Sequence, residues 1–173
     1  MNLRKNITTA LLIAIGYILH QVMPGTIGNM KFDIMLSFIF VALLVNRDFK
    51  NAVLTGLLGG LITAMTTTFP GGQIPNLIDK FVTCMVVFAL IKLTDKLKFK
   101  QVVTGAIAFL GTLVSGSTFL YSALLLAGLP APFMVLFLGI VLPTAATNIF
   151  VTLVVYNAVK VAIKASGVKF IKS

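Results

Sequence analysis

Apolar residues gather along the chain into six long stretches, at 7–23, 32–45, 52–69, 77–93, 102–127 and 133–162, parted by short polar or Pro/Gly-bearing connectors. Stretches near 20 apolar residues predict helices that cross a hydrocarbon core of about 30 Å. The second stretch is short for that thickness, and the sixth is long and holds Pro143. A short span beside Pro24-Gly25 and a proline-interrupted one predict irregular backbone lining a cavity, because lipid offers its polar groups no partner. The first stretch follows Arg4 and Lys5 but no A-x-A-like site comes after it, so it reads as an uncleaved span. No internal repeat stands out. The pattern predicts an all-α membrane protein of six transmembrane helices, a single membrane-embedded domain over residues 1–173.

Composition agrees: 58% of the residues are hydrophobic and 10% charged, which excludes a soluble globular protein. The net charge of +10, from 14 Lys+Arg against 4 Asp+Glu, would suggest a nucleic-acid partner in a soluble chain. Here the distribution explains it. Twelve of the fourteen basic residues fall on one side of the six-span arrangement: Arg4 and Lys5, Arg47 and Lys50, Lys92, Lys96, Lys98 and Lys100, and Lys160, Lys164, Lys169 and Lys172. Lys31 and Lys80 fall on the other. By the positive-inside rule both termini are cytoplasmic and the connectors after the first, third and fifth stretches face outward. The expected surroundings are a lipid bilayer, with no nucleic acid.

Enzymatic readings lack parts. The four acidic residues are all aspartates, there is a single histidine, and no G-x-S-x-G, H-E-x-x-H or G-x-x-x-x-G-K-[ST] occurs. The lone Cys84 sits in an apolar run and reads as a small buried hydrophobe. We expect no catalysis, cofactor or metal. Uphill transport would need an ion gradient or another subunit.

Candidate chemistry lies on the outward side, where each lysine neighbours an aspartate: Lys31 with Asp33, and Asp79 with Lys80. A zwitterionic amino acid needs an acceptor for its ammonium and a donor for its carboxylate, and such pairs supply both. Self-neutralisation near the headgroups is the alternative. Asn76 reads as the N-cap of the fourth helix, with Asp79 a capping residue three positions on. The same helix start would offer N–H groups to a carboxylate. Gly111, Ser115, Thr118 and Ser122 form one small and polar stripe on the fifth stretch, suited to helix packing or ligand contact. Asn148, shortly after Pro143, reads as a partner for backbone freed by the proline or as a ligand contact. His20 reads as a hydrogen-bonded packing residue. Ala10 and Ala14 continue through Tyr17 and Gln21 on one face of the first helix, a small-x-x-x-small spacing that Gly56/Gly60 and Ala158/Ala162 share.

Taken together, Gly28 to Asp33 (GNMKFD), Thr67 to Lys80 (TTFPGGQIPNLIDK), Gly111 to Gly116 (GTLVSG) and Leu142-Pro143 with Asn148 resemble the substrate-binding S component of an energy-coupling factor transporter, specifically the tryptophan-specific members. The resemblance covers essentially the whole chain. It implies an S-component-like six-helix bundle in a prokaryotic plasma membrane, capturing L-tryptophan from outside. It also implies a transmembrane coupling subunit, docked on Ala10 and Ala14, and two cytosolic ATPases. The physical assignment of roles gives Asp79 or Asp33 to the ammonium, and Lys31 or Lys80 with the Asn76 helix start to the carboxylate. Gln73, Ser115 or Asn148 would accept from the indole N–H, and Tyr17, Phe69 and Tyr121 would pack on the ring. The absence of tryptophan from the chain suits a transporter made when tryptophan is scarce. The alternatives are a stand-alone carrier using Asp79 or Asp33 for proton coupling, and a membrane assembly subunit that binds no small molecule.

Overall fold

The computed structural model describes residues 3–25, 29–97 and 100–166; Gly28, Lys98, Lys169 and Lys172 of the sequence argument lie outside the described residues. Among the described residues the chain is helical, with no strand and one isolated antiparallel bridge between Gly25 and Lys31. Six helices follow one another: α1 (Leu3–Val22), α2 (Met35–Val45), α3 (Phe49–Thr66), α4 (Gln73–Leu93), α5 (Lys100–Leu126) and α6 (Phe133–Ala165). They coincide with the six apolar stretches. By length and composition α4, α5 and α6 are each able to cross a membrane. Their outer faces expose large apolar side chains such as Phe81, Leu125, Leu138 and Phe150. Water penalises such a surface and lipid tails accommodate it, so the fold fits a membrane protein.

The second stretch is short for a physical reason. All eleven residues of α2 are buried, and the helix touches each of the other five. A helix apolar on every side belongs inside a protein. At 1.5 Å per residue it reaches only roughly 16 Å, so it fills the centre of the bundle, with Phe38, Ile39 and Phe40 in the main core. Around it, α3 and α4 pack tightly. A Cβ on Gly60 would lie 3.1 Å from the Leu77 Cα, and one on Gly56 would lie 3.2 Å from the Phe81 Cα. The Gly56/Gly60 face is thus an internal helix contact, whereas Ala10 and Ala14 on α1 are exposed.

Pro143 has the expected effect on α6. It lacks an N–H for the carbonyl one turn earlier, and the helix widens into a π turn at Phe137–Val141 just before it. The Thr144 hydroxyl donates to the Ile140 carbonyl at 2.6 Å within this irregular stretch.

The two ends of the bundle differ. At one, Asp48 caps α3 by accepting from the Lys50 N–H at 3.2 Å, and Arg47 pairs with Asp95 across the α2–α3 and α4–α5 connectors. Lys50, Lys92 and Lys100 belong to the same end. At the other, the end of α1 and the starts of α2, α4 and α6 meet the C-terminal half of α5 around a pocket.

Candidate functional site

The pocket lies between these helix ends and is partly open to solvent. One wall is charged. Lys80, on the second turn of α4, is almost fully buried. Its ammonium donates to Asp33 Oδ2 at 2.8 Å and also pairs with its neighbour Asp79. Burying a charge is expensive unless it is paired, and two carboxylates on one ammonium leave the trio one negative charge in excess. Both Asp79 oxygens are engaged, Oδ2 by Lys80 and Oδ1 by the Thr83 hydroxyl at 3.0 Å, and Ser115 of α5 bonds it too. Asp33 also accepts from the Leu36 backbone N–H, yet its Oδ1 has no partner, and neither has His20 Nδ1, 3.6 Å away. Lys31 is half-buried on the pocket wall, and among the described residues no carboxylate lies within 4.0 Å of its ammonium.

Another part of the lining is apolar. Phe69, from the α3–α4 connector, and Phe119 of α5 meet edge to face with ring centroids 5.4 Å apart and planes at 80°. Ile140 and Val141 of the π turn close this side. Gly116 sits against that turn: a Cβ there would fall 2.3 Å from a Val141 methyl. The two rings with these aliphatic neighbours give this part of the lining an aromatic and apolar surface.

Backbone connections hold the walls together. Asn29 adopts φ 58°, a conformation asparagine tolerates better than most residues, and its carbonyl accepts from the Thr68 hydroxyl at 2.5 Å. The loop before α2 is thereby tied to the α3–α4 connector. Behind the pocket, fully buried Asn148 of α6 donates to the Asp33 carbonyl at 3.0 Å and to the Thr112 hydroxyl at 3.1 Å, and accepts from the Ser37 hydroxyl at 2.9 Å.

Of the residues singled out in the sequence, Lys31, Asp33, Phe69, Asn76, Asp79, Lys80 and Ser115 line the pocket. Asn148 stands one layer behind it, with its amide engaged by protein partners. Gln73 and Tyr121 are exposed and Tyr17 half-buried, all three off the pocket wall. Several local expectations are corrected. Asn76 is not the N-cap of α4: the helix begins at Gln73, with Gly72 at the cap position. Pro75 is accommodated because a first-turn residue needs no N–H partner within the helix. The Asn76 backbone N–H and side-chain amide both donate to the Gly72 carbonyl, at 3.0 and 2.8 Å, so that N–H is not free for a carboxylate. Asp79 is accordingly a buried ion-pair residue and not a cap. Lys31 does not pair with Asp33, which turns to Lys80 instead. His20 lines the pocket, and its Nδ1 has no hydrogen-bond partner.

The polar stripe on α5 is also displaced. Thr112, Ser115, Gly116 and Phe119 face the pocket, so Ser115 alone is shared with the set Gly111, Ser115, Thr118 and Ser122. Gly111 instead admits Phe40 and Val87, and Ser122 donates to the Thr118 carbonyl of its own helix at 2.6 Å. Threonine and phenylalanine were the missed signals, because on an apolar helix neither stands out from packing residues. Among the described residues no group of three His, Cys, Asp or Glu is gathered as a metal site.

A helical protein of membrane-suited surface, with a charged and aromatic pocket between its helix ends, has the form of a transporter. Residues 2–164 match the family described as tryptophan transporter TrpP, and the chain belongs to that family, one of transporters and not of enzymes. Three relatives carry the name "Probable tryptophan transport protein". That of Clostridium acetobutylicum is 44% identical over 163 residues, covering 92% of this chain and 94% of its own. That of Clostridium perfringens is 42% identical over 177 residues, covering 95% and 97%. That of Bacillus subtilis is 39% identical over 167 residues, covering 96% of each. No solved structure gives a significant match.

Proposed function

We propose that this chain is the substrate-capture subunit of an energy-coupling factor importer for L-tryptophan. The observation that carries the reading is the meeting, in one pocket, of the Asp33–Lys80–Asp79 charge cluster with the Phe69–Phe119 pair. A zwitterion with a flat aromatic side chain matches both ends. Asp33 receives the ammonium, having an unused oxygen where Asp79 has none. Lys31, free of carboxylates, receives the substrate carboxylate, and the indole ring lies against Phe69 and Phe119.

The chain forms one membrane-embedded domain over residues 1–173, a six-pass protein of the prokaryotic plasma membrane with both termini cytoplasmic. The excess of basic residues at the Arg47 end supports this orientation, with the pocket outward. Residues 29–34 extend the short α2 toward the outer face, where non-helical backbone is tolerated beside a cavity. Energy comes from two cytosolic ATPases through a transmembrane coupling subunit that docks on exposed Ala10 and Ala14. The lack of a P-loop in this chain is consistent with that division of labour.

The test uses the absence of tryptophan from the sequence. Purified protein titrated into dilute L-tryptophan changes the ligand's fluorescence saturably, in competition with indole analogues but not with thiamine, riboflavin or biotin. A folded protein that leaves the emission unchanged defeats the reading. The buried Asp33–Lys80–Asp79 cluster also favours a second reading, a stand-alone proton-coupled carrier. That carrier would concentrate tryptophan in liposomes by itself and lose the gradient to a protonophore, whereas an S component requires its partners and ATP.

A further inference from the structure

His20 occupies the last turn of α1 and is 8% exposed, yet its Nδ1 has no hydrogen-bond partner. Across a gap of 3.6 Å stands Asp33 Oδ1, equally without a partner, while Oδ2 of the same carboxylate holds Lys80 at 2.8 Å. Both residues line the pocket. In a neutral imidazole with its proton on Nε2, Nδ1 is an acceptor. Two buried acceptors facing each other are unfavourable as they stand. They are too far apart to share a linear hydrogen bond, but one donor nitrogen can reach both at about 2.9 Å each. Neither neighbouring cation fills this role: Lys80 is committed to Asp33 Oδ2 and to Asp79, and the Lys31 ammonium, which also acts on His20, lies more than 4.0 Å from the Asp33 carboxylate.

We propose that His20 Nδ1 and Asp33 Oδ1 jointly receive the primary ammonium of the amino-acid substrate, so that His20 selects amino acids over their deaminated analogues. The inference rests on the tryptophan-binding reading above and adds to it a residue that sequence reasoning assigned to packing. The chemistry favours a donor with at least two N–H bonds and a positive charge. The ammonium offers one N–H to a carboxylate that its neighbouring lysine keeps in place, and a second to the imidazole. A ligand with the same ring and carboxylate but no amine leaves both acceptors buried and unpartnered, and such a mismatch is what makes polar sites discriminating.

The experiment compares L-tryptophan with indole-3-propionate on the purified full-length protein. Wild type should prefer L-tryptophan by about tenfold or more, the scale of one well-made hydrogen bond to a charged group. His20→Leu should weaken L-tryptophan by a similar factor and leave indole-3-propionate within about twofold. His20→Asn, whose amide oxygen can take the position of Nδ1, should recover most of the lost affinity. If His20→Leu weakens both ligands alike, or neither, the inference falls and the tryptophan reading stands. If wild type binds neither ligand, the tryptophan reading falls and takes the inference with it. Wild type binding indole-3-propionate as tightly as L-tryptophan also overturns the inference, and that comparison needs no variant to fold.

Discussion

The side-chain amide of Asn148 donates to the main-chain carbonyl of Asp33 at 3.0 Å, joining the middle of α6 to the residue whose carboxylate faces the pocket. Through Ser37 and Thr112 the same amide also reaches α2 and α5. Asn148 therefore sets where Asp33 sits without lining the pocket itself. Replacing it by Leu takes a donor from the buried Asp33 carbonyl, at about 1–3 kcal/mol for an unsatisfied group, while the Thr112 and Ser37 hydroxyls keep the Ala108 and Asn148 carbonyls as partners. We expect Asn148→Leu to lower the Tm in detergent and to weaken tryptophan binding. Asn148→Ala should do the same, because the loss comes from Asp33 moving and not from lost ligand contact. An unchanged affinity in both variants would show that Asp33 is held by its other neighbours.

Lys80 and Arg47 provide a contrast in what an ion pair is worth. Lys80 is buried between Asp33 and Asp79, so Lys80→Met strands two carboxylates in the protein interior, a defect of about 3–5 kcal/mol. The Arg47–Asp95 pair has its aspartate side chain 55% exposed, and Asp95→Ala should cost less than about 1 kcal/mol. Thermal unfolding of both variants in the same detergent checks the order. Equal stabilities would mean that the Lys80 cluster is hydrated and not dry.

These residues also show how far the sequence was legible. The six apolar stretches became six helices because hydrophobic runs of that length have few other solutions, and Pro143 announced irregular backbone, which takes the form of a π turn at Phe137–Val141. Lys31, Asp33, Asp79 and Lys80 stood out because charge is rare in such a chain. Of the pairs that adjacency suggested, Asp79 with Lys80 is made, whereas Lys31 with Asp33 is not, because the fold carries Lys80 on α4 across to Asp33 as well. The start of α4 was misread because Asn76 has the chemistry of a cap, while Gly72, which precedes the helix, offers no side chain to recognise. His20 was invisible as a site residue because its significance is a gap of 3.6 Å to Asp33, a purely tertiary quantity.

The aromatic pair makes its own prediction. Phe69 and Phe119 pack edge to face, and such a pair is worth about 0.5–1.5 kcal/mol beyond the area it buries. Phe119→Ala removes a ring from the pocket wall and should weaken L-tryptophan by about tenfold or more. Phe119→Leu keeps apolar bulk without the ring and should lose less. If both variants bind like wild type, the indole lies elsewhere in the pocket.

Ala10 and Ala14 lie on an α1 surface that also exposes Leu11, Ile15 and Ile18, away from the pocket. Leucine at either alanine adds bulk only on the outside, and exposed changes away from special features usually stay within about 0.5 kcal/mol. Tryptophan binding by the isolated chain should therefore be unaffected in the double variant Ala10→Leu/Ala14→Leu. Close helix approach needs small side chains, and bulk at the contact separates the backbones. ATP-dependent uptake in liposomes holding the coupling subunit and the ATPases should accordingly be lost. Retained uptake would remove the docking role from this face, and lost binding without lost uptake would contradict the separation of capture from transport on which the proposed function depends.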